Sequence, residues 1–310
     1  MEIDLFWLLT AAAGGFFGAA IGGLQAFIFT GFMVLIGIIG LFGGSGTMFM
    51  DYVAFGPVFG PHIGFAGGVA AVAYARKRGY ADGKDIVTPL ISLVKPDVLL
   101  VGAVFGVIGY LVNAAVAVLP WFGSHTDTVA VAVVVSALIA RFAFGNSGLV
   151  GLLPQGSGWG RFTPNDDNNW IRYHEKFYPN SVLGLFAGGL AAGTALMIAE
   201  SFPDAAGVAH TFVFGASAVS LLFLSLGMSV PVTHHITIIG GLGALTFFPI
   251  VGENLVAALL IGALFGMISA WTAEFFSRFW HIHGDTHLDP PASAIWPMTT
   301  LVLGLGALLS

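Results

Sequence analysis

The feature that most constrains the fold is a long uncharged stretch near the start of the chain. No Asp, Glu, Lys or Arg occurs between residues 5 and 50. A helix needs only about 20 apolar residues to cross the hydrocarbon core of a bilayer, so this stretch has the length for two crossings. Of the 310 residues, 57% are hydrophobic and 8% are charged, whereas a soluble domain carries about 25% charged residues. The sequence therefore predicts an all-α polytopic membrane protein.

The composition also excludes several kinds of site. The chain contains no Cys, which excludes disulfides, thiolate metal sites and cysteine nucleophiles. Its ten basic residues are scattered and its net charge is −6, so a basic face for nucleic acid is not expected. We expect the lipid bilayer and a small-molecule or ion substrate as partners. The 44 glycines suit close helix packing and are compatible with a homo-oligomer.

Apolar segments of spanning length predict about ten transmembrane helices. They lie near residues 5–25, 27–44, 57–75, 98–119, 128–147, 181–200, 210–227, 232–250, 255–276 and 291–309. With ten spans, the Lys and Arg residues all lie in or beside loops on one side. Basic residues accumulate in cytoplasmic loops, so this multi-pass topology predicts that both termini are non-cytoplasmic. The chain begins with acidic residues rather than a basic signal segment, so the first span is expected to persist in the mature protein.

Three sequence echoes indicate two related halves, each pair being displaced by five spans. Residues 18–24 echo 184–190, residues 62–68 echo 235–241, and residues 99–108 echo 259–268. Because five is odd, the second half would enter the membrane from the opposite side, as in many secondary transporters. We predict a first five-helix repeat over residues 1–150, a cytoplasmic connecting loop over 151–180, and a second, inverted five-helix repeat over 181–310.

Spans three and eight contain proline and small residues at related positions, a composition that releases backbone groups from the helical ladder. We therefore expect broken helices there. Such breaks form the substrate site of inverted-repeat transporters near the membrane midplane. The predicted substrate-binding residues are His62, His234, His235, Pro61, Thr233, Thr237 and Gly64. Imidazole titrates near physiological pH, so the intramembrane histidines would also suit proton coupling.

A second polar group lies in the predicted cytoplasmic loop between spans nine and ten. His281, His283, Asp285 and His287 offer nitrogen and oxygen ligands for a divalent metal ion, the one cofactor that the sequence suggests. The alternative interpretation is a solvated loop in which Asp289 caps the next helix ahead of Pro290, as Asp127 would cap span five.

Three functions follow from these patterns. The favoured one is a permease or channel, not an enzyme, that moves a small solute through a site between the repeats. The second is a divalent-metal transporter that uses the His- and Asp-rich loop. The third, less favoured, is a membrane-embedded enzyme whose metal activates water. Two charged features are expected to be structural: an i, i+4 pair of Glu274 and Arg278, and Arg141 extending toward the aqueous boundary.

Overall fold

The computed structural model describes residues 4–152, 162–165 and 168–310. The chain is 72% helical, and the described part contains no strand. Ten helices of at least 14 residues occur in that part: α1 (Leu5–Ile21), α2 (Gly23–Phe42), α3 (Gly64–Lys77), α4 (Pro96–Ala117), α5 (Thr128–Phe144), α6 (Phe177–Ser201), α7 (Thr211–Ser225), α8 (His234–Phe247), α9 (Leu255–Phe276) and α10 (Pro290–Leu309). The predicted all-α class is confirmed.

Five of these helices are long and apolar enough to cross a membrane: α2, α4, α6, α10, and α9 together with the π-helical turn Ser277–His281. Large apolar side chains also point outward from the helices. Phe186 is 72% exposed and Val256 is 69% exposed. Exposed apolar surface on this scale marks contact with another apolar phase, so the fold indicates membrane association.

Helices α5 and α10 begin at aspartate caps, as predicted. Asp127 Oδ1 accepts a hydrogen bond from Ala130 N at 2.8 Å, and Asp289 Oδ2 accepts one from Ala292 N at 2.7 Å. These bonds satisfy donors that have no partner inside the helix. Pro290 at the first position of α10 has no N–H to leave unpaired.

Glycines draw three helices of each half into close contact. In the first half α1, α3 and α4 cross one another, and in the second half α6, α8 and α9 do the same. A Cβ on Gly102 would lie 2.6 Å from Ala19 Cβ, and a Cβ on Gly262 would lie 2.6 Å from Ala192 Cβ. Real Cβ atoms do not approach so closely, so only glycine permits these crossings.

Contacts of the same kind show which residues of the two halves occupy equivalent positions. A Cβ on Gly67 would lie 2.8 Å from Gly15 Cα, and a Cβ on Gly240 would lie 2.7 Å from Gly188 Cα. Gly15 and Gly188 therefore hold equivalent places. The echoes of residues 62–68 and 99–108 follow this register, but the echo between 18–24 and 184–190 is displaced from it by about two helical turns.

The two halves meet mainly along two helix pairs. Helix α2 of the first half packs on α7 of the second, and α5 packs on α10. Helix α3 begins at Gly64, well inside its predicted span, whereas α8 begins at His234, close to the predicted start near residue 232. Residues 55–63 and 226–233 ahead of them form turns, bends or extended chain. These irregular segments lie where the halves meet and position the candidate site.

Candidate functional site

A cavity of about 230 Å³ lies between the two halves, with walls from α2, α3, α5, α7, α8, α10 and the segments that join them. Most of its lining is apolar and aromatic. Its ionisable lining residues are Lys84, Asp127, His234, His281, His287 and Asp289. An apolar pocket with a few converging polar groups is typical of a small-molecule site.

His234 lies in the wall of this cavity. Helix α8 begins at His234, and no side chain caps this end of the helix. The imidazole ring is 4.6 Å from the Phe27 ring and 5.9 Å from the Phe214 ring, measured between centroids. Within the described residues, its buried Nδ1 atom has no hydrogen-bond partner. The ring is thus held by aromatic contacts from both halves.

His62 and His235 are fully buried and do not line the cavity. Among the described residues, neither nitrogen of either ring has a hydrogen-bond partner. Their carbonyl groups meet equivalent helices. A Cβ on Gly109 of α4 would lie 1.7 Å from His62 O, while Ser269 Oγ of α9 donates to His235 O at 2.8 Å. The two histidines therefore occupy matching places in the two halves.

The other predicted substrate residues are divided. Pro61 lines the cavity, whereas Thr233, Thr237 and Gly64 are buried in helix contacts outside its lining. Thr237 Oγ1 lies 3.2 Å from Ser217 Oγ of α7. A Cβ on Gly18 would lie 2.1 Å from Gly64 O, so Gly64 serves close packing. Of the seven predicted residues, His234 and Pro61 face the cavity.

The His- and Asp-rich loop contributes two of its histidines to the same cavity. The rings of His281 and His287 are 4.8 Å apart and nearly perpendicular. His281 Nδ1 lies 2.8 Å from Leu288 O, and His287 Nε2 lies 3.3 Å from Asp289 Oδ1. The structure therefore brings together His234 from the predicted substrate site and two histidines from the predicted metal site.

The remaining two residues of the predicted metal set point elsewhere. His283 Nδ1 contacts Asn168 Nδ2 at 3.0 Å. Asp285 forms an ion pair with Arg76 at 3.0 Å and accepts hydrogen bonds from Ser147 Oγ and Asn146 N. Burial opposes ionisation of Asp285, but these hydrogen bonds and the Arg76 charge lower its pKa below the usual value. No group of three or more metal-ligating side chains converges within the described part of the chain.

Arg141 of α5 fastens this loop from within the protein. Its side chain is 1% exposed, so it does not extend to the aqueous boundary as expected. Its Nε atom donates to Thr286 Oγ1 at 2.9 Å and its Nη2 atom to Thr286 O at 2.6 Å. Nη1 donates to Trp280 O and Leu149 O. By contrast, the predicted pair of Glu274 and Arg278 is confirmed at 2.6 Å.

Sequence reasoning missed the group that holds the segment before α8. Tyr173 Oη donates to Val230 O, and Val232 N donates to His174 Nε2 at 3.3 Å. His174 Nε2 thus acts as an acceptor, so Nδ1 carries the proton and donates to Asn180 Oδ1 at 3.0 Å. Burial lowers the pKa of His174 to about 4. A neutral His174 thereby ties residues 230–232 to the start of α6.

No match is found among curated proteins or among solved structures. A family model, described as a family of unknown function, matches residues 1–169 and residues 161–310. Together the two matches cover the chain, and they divide it between α5 and α6, where the two sets of five helices also divide. The chain therefore belongs to the family of unknown function DUF7973.

Proposed function

We propose that the protein is an integral membrane permease or channel in which two inverted five-helix repeats enclose a binding site for a small solute. The cavity between the halves carries this proposal. It places ionisable side chains from both halves inside an apolar wall, at the junction where inverted-repeat transporters bind their solutes.

Equivalent contacts in the two halves support the proposed repeat. Gly102 meets Ala19 as Gly262 meets Ala192, and the carbonyls of His62 and His235 face the same place on α4 and α9. The two ranges matched by the family model divide the chain in the same way. With five helices in each repeat, the second repeat would run in the opposite direction through the bilayer.

The irregular segments before α3 and α8 support the position of the site. Backbone without helical hydrogen bonds is tolerated at membrane depth only where protein buries it or where it lines a cavity. Pro61 lies in one such segment and Val232 in the other; both line the cavity. We propose that these segments take the place of broken helices and that the solute binds beside them.

A solute-entry assay in proteoliposomes tests this function. We expect small amines, carboxylates or neutral amides to enter faster than into protein-free liposomes, as followed by osmotic light scattering. The variant Val133→Trp places a large ring in the cavity wall and should abolish the increase. The control Leu190→Trp changes a side chain that is 63% exposed on α6 and should leave it unchanged.

Two results would count against the proposed function. One is solute entry at the protein-free rate for every solute class, with protein that is folded and monodisperse. The other is equal acceleration by the wild type and by Val133→Trp, since solute would then pass somewhere other than this cavity. Melting curves of both variants establish that the comparison is made between folded proteins.

A further inference from the structure

The hydrogen-bonding character of the cavity follows from the tautomers of its histidines. A carbonyl oxygen only accepts, so His281 Nδ1 must donate to Leu288 O. Nε2 of the neutral ring is then a free acceptor. A carboxylate likewise only accepts, so His287 Nε2 donates to Asp289 Oδ1, and Nδ1 is the second nitrogen of that ring. Neither His281 Nε2 nor His287 Nδ1 forms a hydrogen bond within the described residues.

Two carboxylates add to this acceptor surface. Asp127 and Asp289 both line the cavity, and each accepts a backbone N–H at the start of its helix. No Lys or Arg forms an ion pair with either of them within the described chain. Acceptors that face an apolar cavity are stabilised by a ligand that donates hydrogen bonds or carries positive charge.

Lys84 is the single basic side chain in the lining. Its Nζ atom donates to Ile282 O at 3.2 Å, so part of its donor capacity already fastens the neighbouring segment. Burial lowers its pKa from the usual value. The cavity thus presents two carboxylates, the free acceptor His281 Nε2 and the unpartnered ring nitrogens of His234 and His287 against one partly committed ammonium group.

The apolar wall also favours a cation. Phe27 lies 6.0 Å from Phe65 and 5.9 Å from Phe214, between ring centroids, and Phe214 lies 5.9 Å from Phe55. All four rings and Trp170 belong to the cavity lining. The faces of aromatic rings attract ammonium groups, and the attraction strengthens when water is excluded. The aromatic wall and the acceptors therefore select the same ligand class.

We propose that the cavity binds a small organic cation, a primary or secondary amine on an apolar body, with its ammonium group directed to Asp289 and the two histidines. A cavity of about 150 Å³ is known to bind benzene, so 230 Å³ suits a body of roughly nine non-hydrogen atoms. This inference rests on the proposed function for the claim that the bound amine is also the transported solute.

Three probes of nearly equal size separate the ligand classes: benzylamine as the cation, benzyl alcohol as the neutral molecule and benzoate as the anion. Thermal unfolding of the purified full chain is measured with each. We expect benzylamine to raise the melting temperature most, because a ligand that binds only the folded state stabilises it. An equal or larger shift with benzoate or with benzyl alcohol, or no shift with benzylamine, would overturn the inference.

The second test removes a negative charge from the cavity. Asp289→Asn keeps an oxygen to cap α10 and to accept from His287, but it removes the negative charge. We expect it to weaken benzylamine binding by about tenfold or more, with little change for benzyl alcohol. Asp127→Asn is the second variant if Asp289→Asn does not fold. Asp4→Asn is the matched control, since Asp4 caps α1 outside the cavity.

Uptake of labelled benzylamine into proteoliposomes separates failure of this inference from failure of the proposed function. Amine binding that depends on Asp289, without uptake of any probe, contradicts transport and leaves the ligand class standing. The opposite outcome is that benzoate or benzyl alcohol enters faster than in protein-free liposomes, that Val133→Trp abolishes this increase, and that benzylamine neither binds nor enters. This result supports transport and overturns the ligand class. Unchanged benzylamine binding in both Asp variants also overturns it.

Discussion

Replacing Arg141 should markedly lower the melting temperature of the chain. The guanidinium makes four hydrogen bonds; those to Trp280 O, Thr286 O and Thr286 Oγ1 are buried, and the one to Leu149 O is partly buried. Arg141→Met preserves the length of the side chain but leaves the three buried acceptors without their donor. Each buried acceptor left unpaired costs about 1 kcal/mol at the lower end of the usual range. We therefore expect a loss of about 3 kcal/mol in the free energy of unfolding.

Thermal unfolding in detergent measures this loss. For a chain of this size 1 kcal/mol corresponds to about 2 °C, so the melting temperature should fall by about 6 °C. Arg141→Lys keeps the charge and some of the hydrogen bonds, so its melting temperature should fall by less. Arg78→Met removes an exposed arginine at the end of α3 and should melt like the wild type. If Arg141→Met also melted within 1 °C (about 0.5 kcal/mol) of the wild type, the carbonyls would have to be satisfied some other way and the reasoning would be refuted.

Three further predictions concern pH, helix packing and topology. Because the pKa of His174 is lowered to about 4, its contribution to stability is present above its unfolded value near 6.5 and is lost as the pH falls toward 4. His174 alone should account for a loss of about 2 kcal/mol of stability between pH 7.5 and 5, and His174→Gln should make that part of the melting profile less steep; an equal slope in the variant would contradict the assignment. Gly102→Ala puts a Cβ 2.6 Å from Ala19 Cβ and should lower the melting temperature, whereas Gly189→Ala, whose Cβ would lie 3.5 Å from Ala263 Cβ, should preserve or raise it. Since the chain has no Cys, Ser45→Cys should react with an impermeant maleimide from outside and Asp82→Cys only after permeabilisation; reaction of both from one side would rule out the ten-span topology.

The helical class and the approximate position of each helix could be predicted, because apolar length is a property of the sequence alone. The start of α3 and the contacts that hold the segment before α8 could not, since both depend on tertiary structure. Tyr173 and His174 hold the segment before α8 from a distant part of the chain. Neither residue belongs to a repeat or a periodic pattern, so no local signal pointed to them.

The sequence predicted two separate groups of site residues, but it could not predict that residues from both groups line one cavity. The loop between α9 and α10 gave a histidine cluster, but spacing does not say which way each side chain points. His281 and His287 face the cavity that His234 also lines, while Asp285 faces Arg76. Arg141 was expected at the aqueous boundary because basic side chains usually extend to water. Two of the backbone carbonyls that it binds, those of Trp280 and Thr286, come from about 140 residues further along the chain.

The glycine-lined crossings limit how the molecule can deform. Within the triplets α1–α3–α4 and α6–α8–α9 the backbones touch, so any sliding of one helix over another would drive a carbonyl into a Cα atom. Interiors packed this closely transmit strain rather than absorb it. The junction of α2 with α7 contains a contact of the same kind, because a Cβ on Gly31 would lie 2.8 Å from Gly215 O. Each triplet is therefore a stiff unit, and the close crossing of α2 and α7 couples the two units beside the cavity.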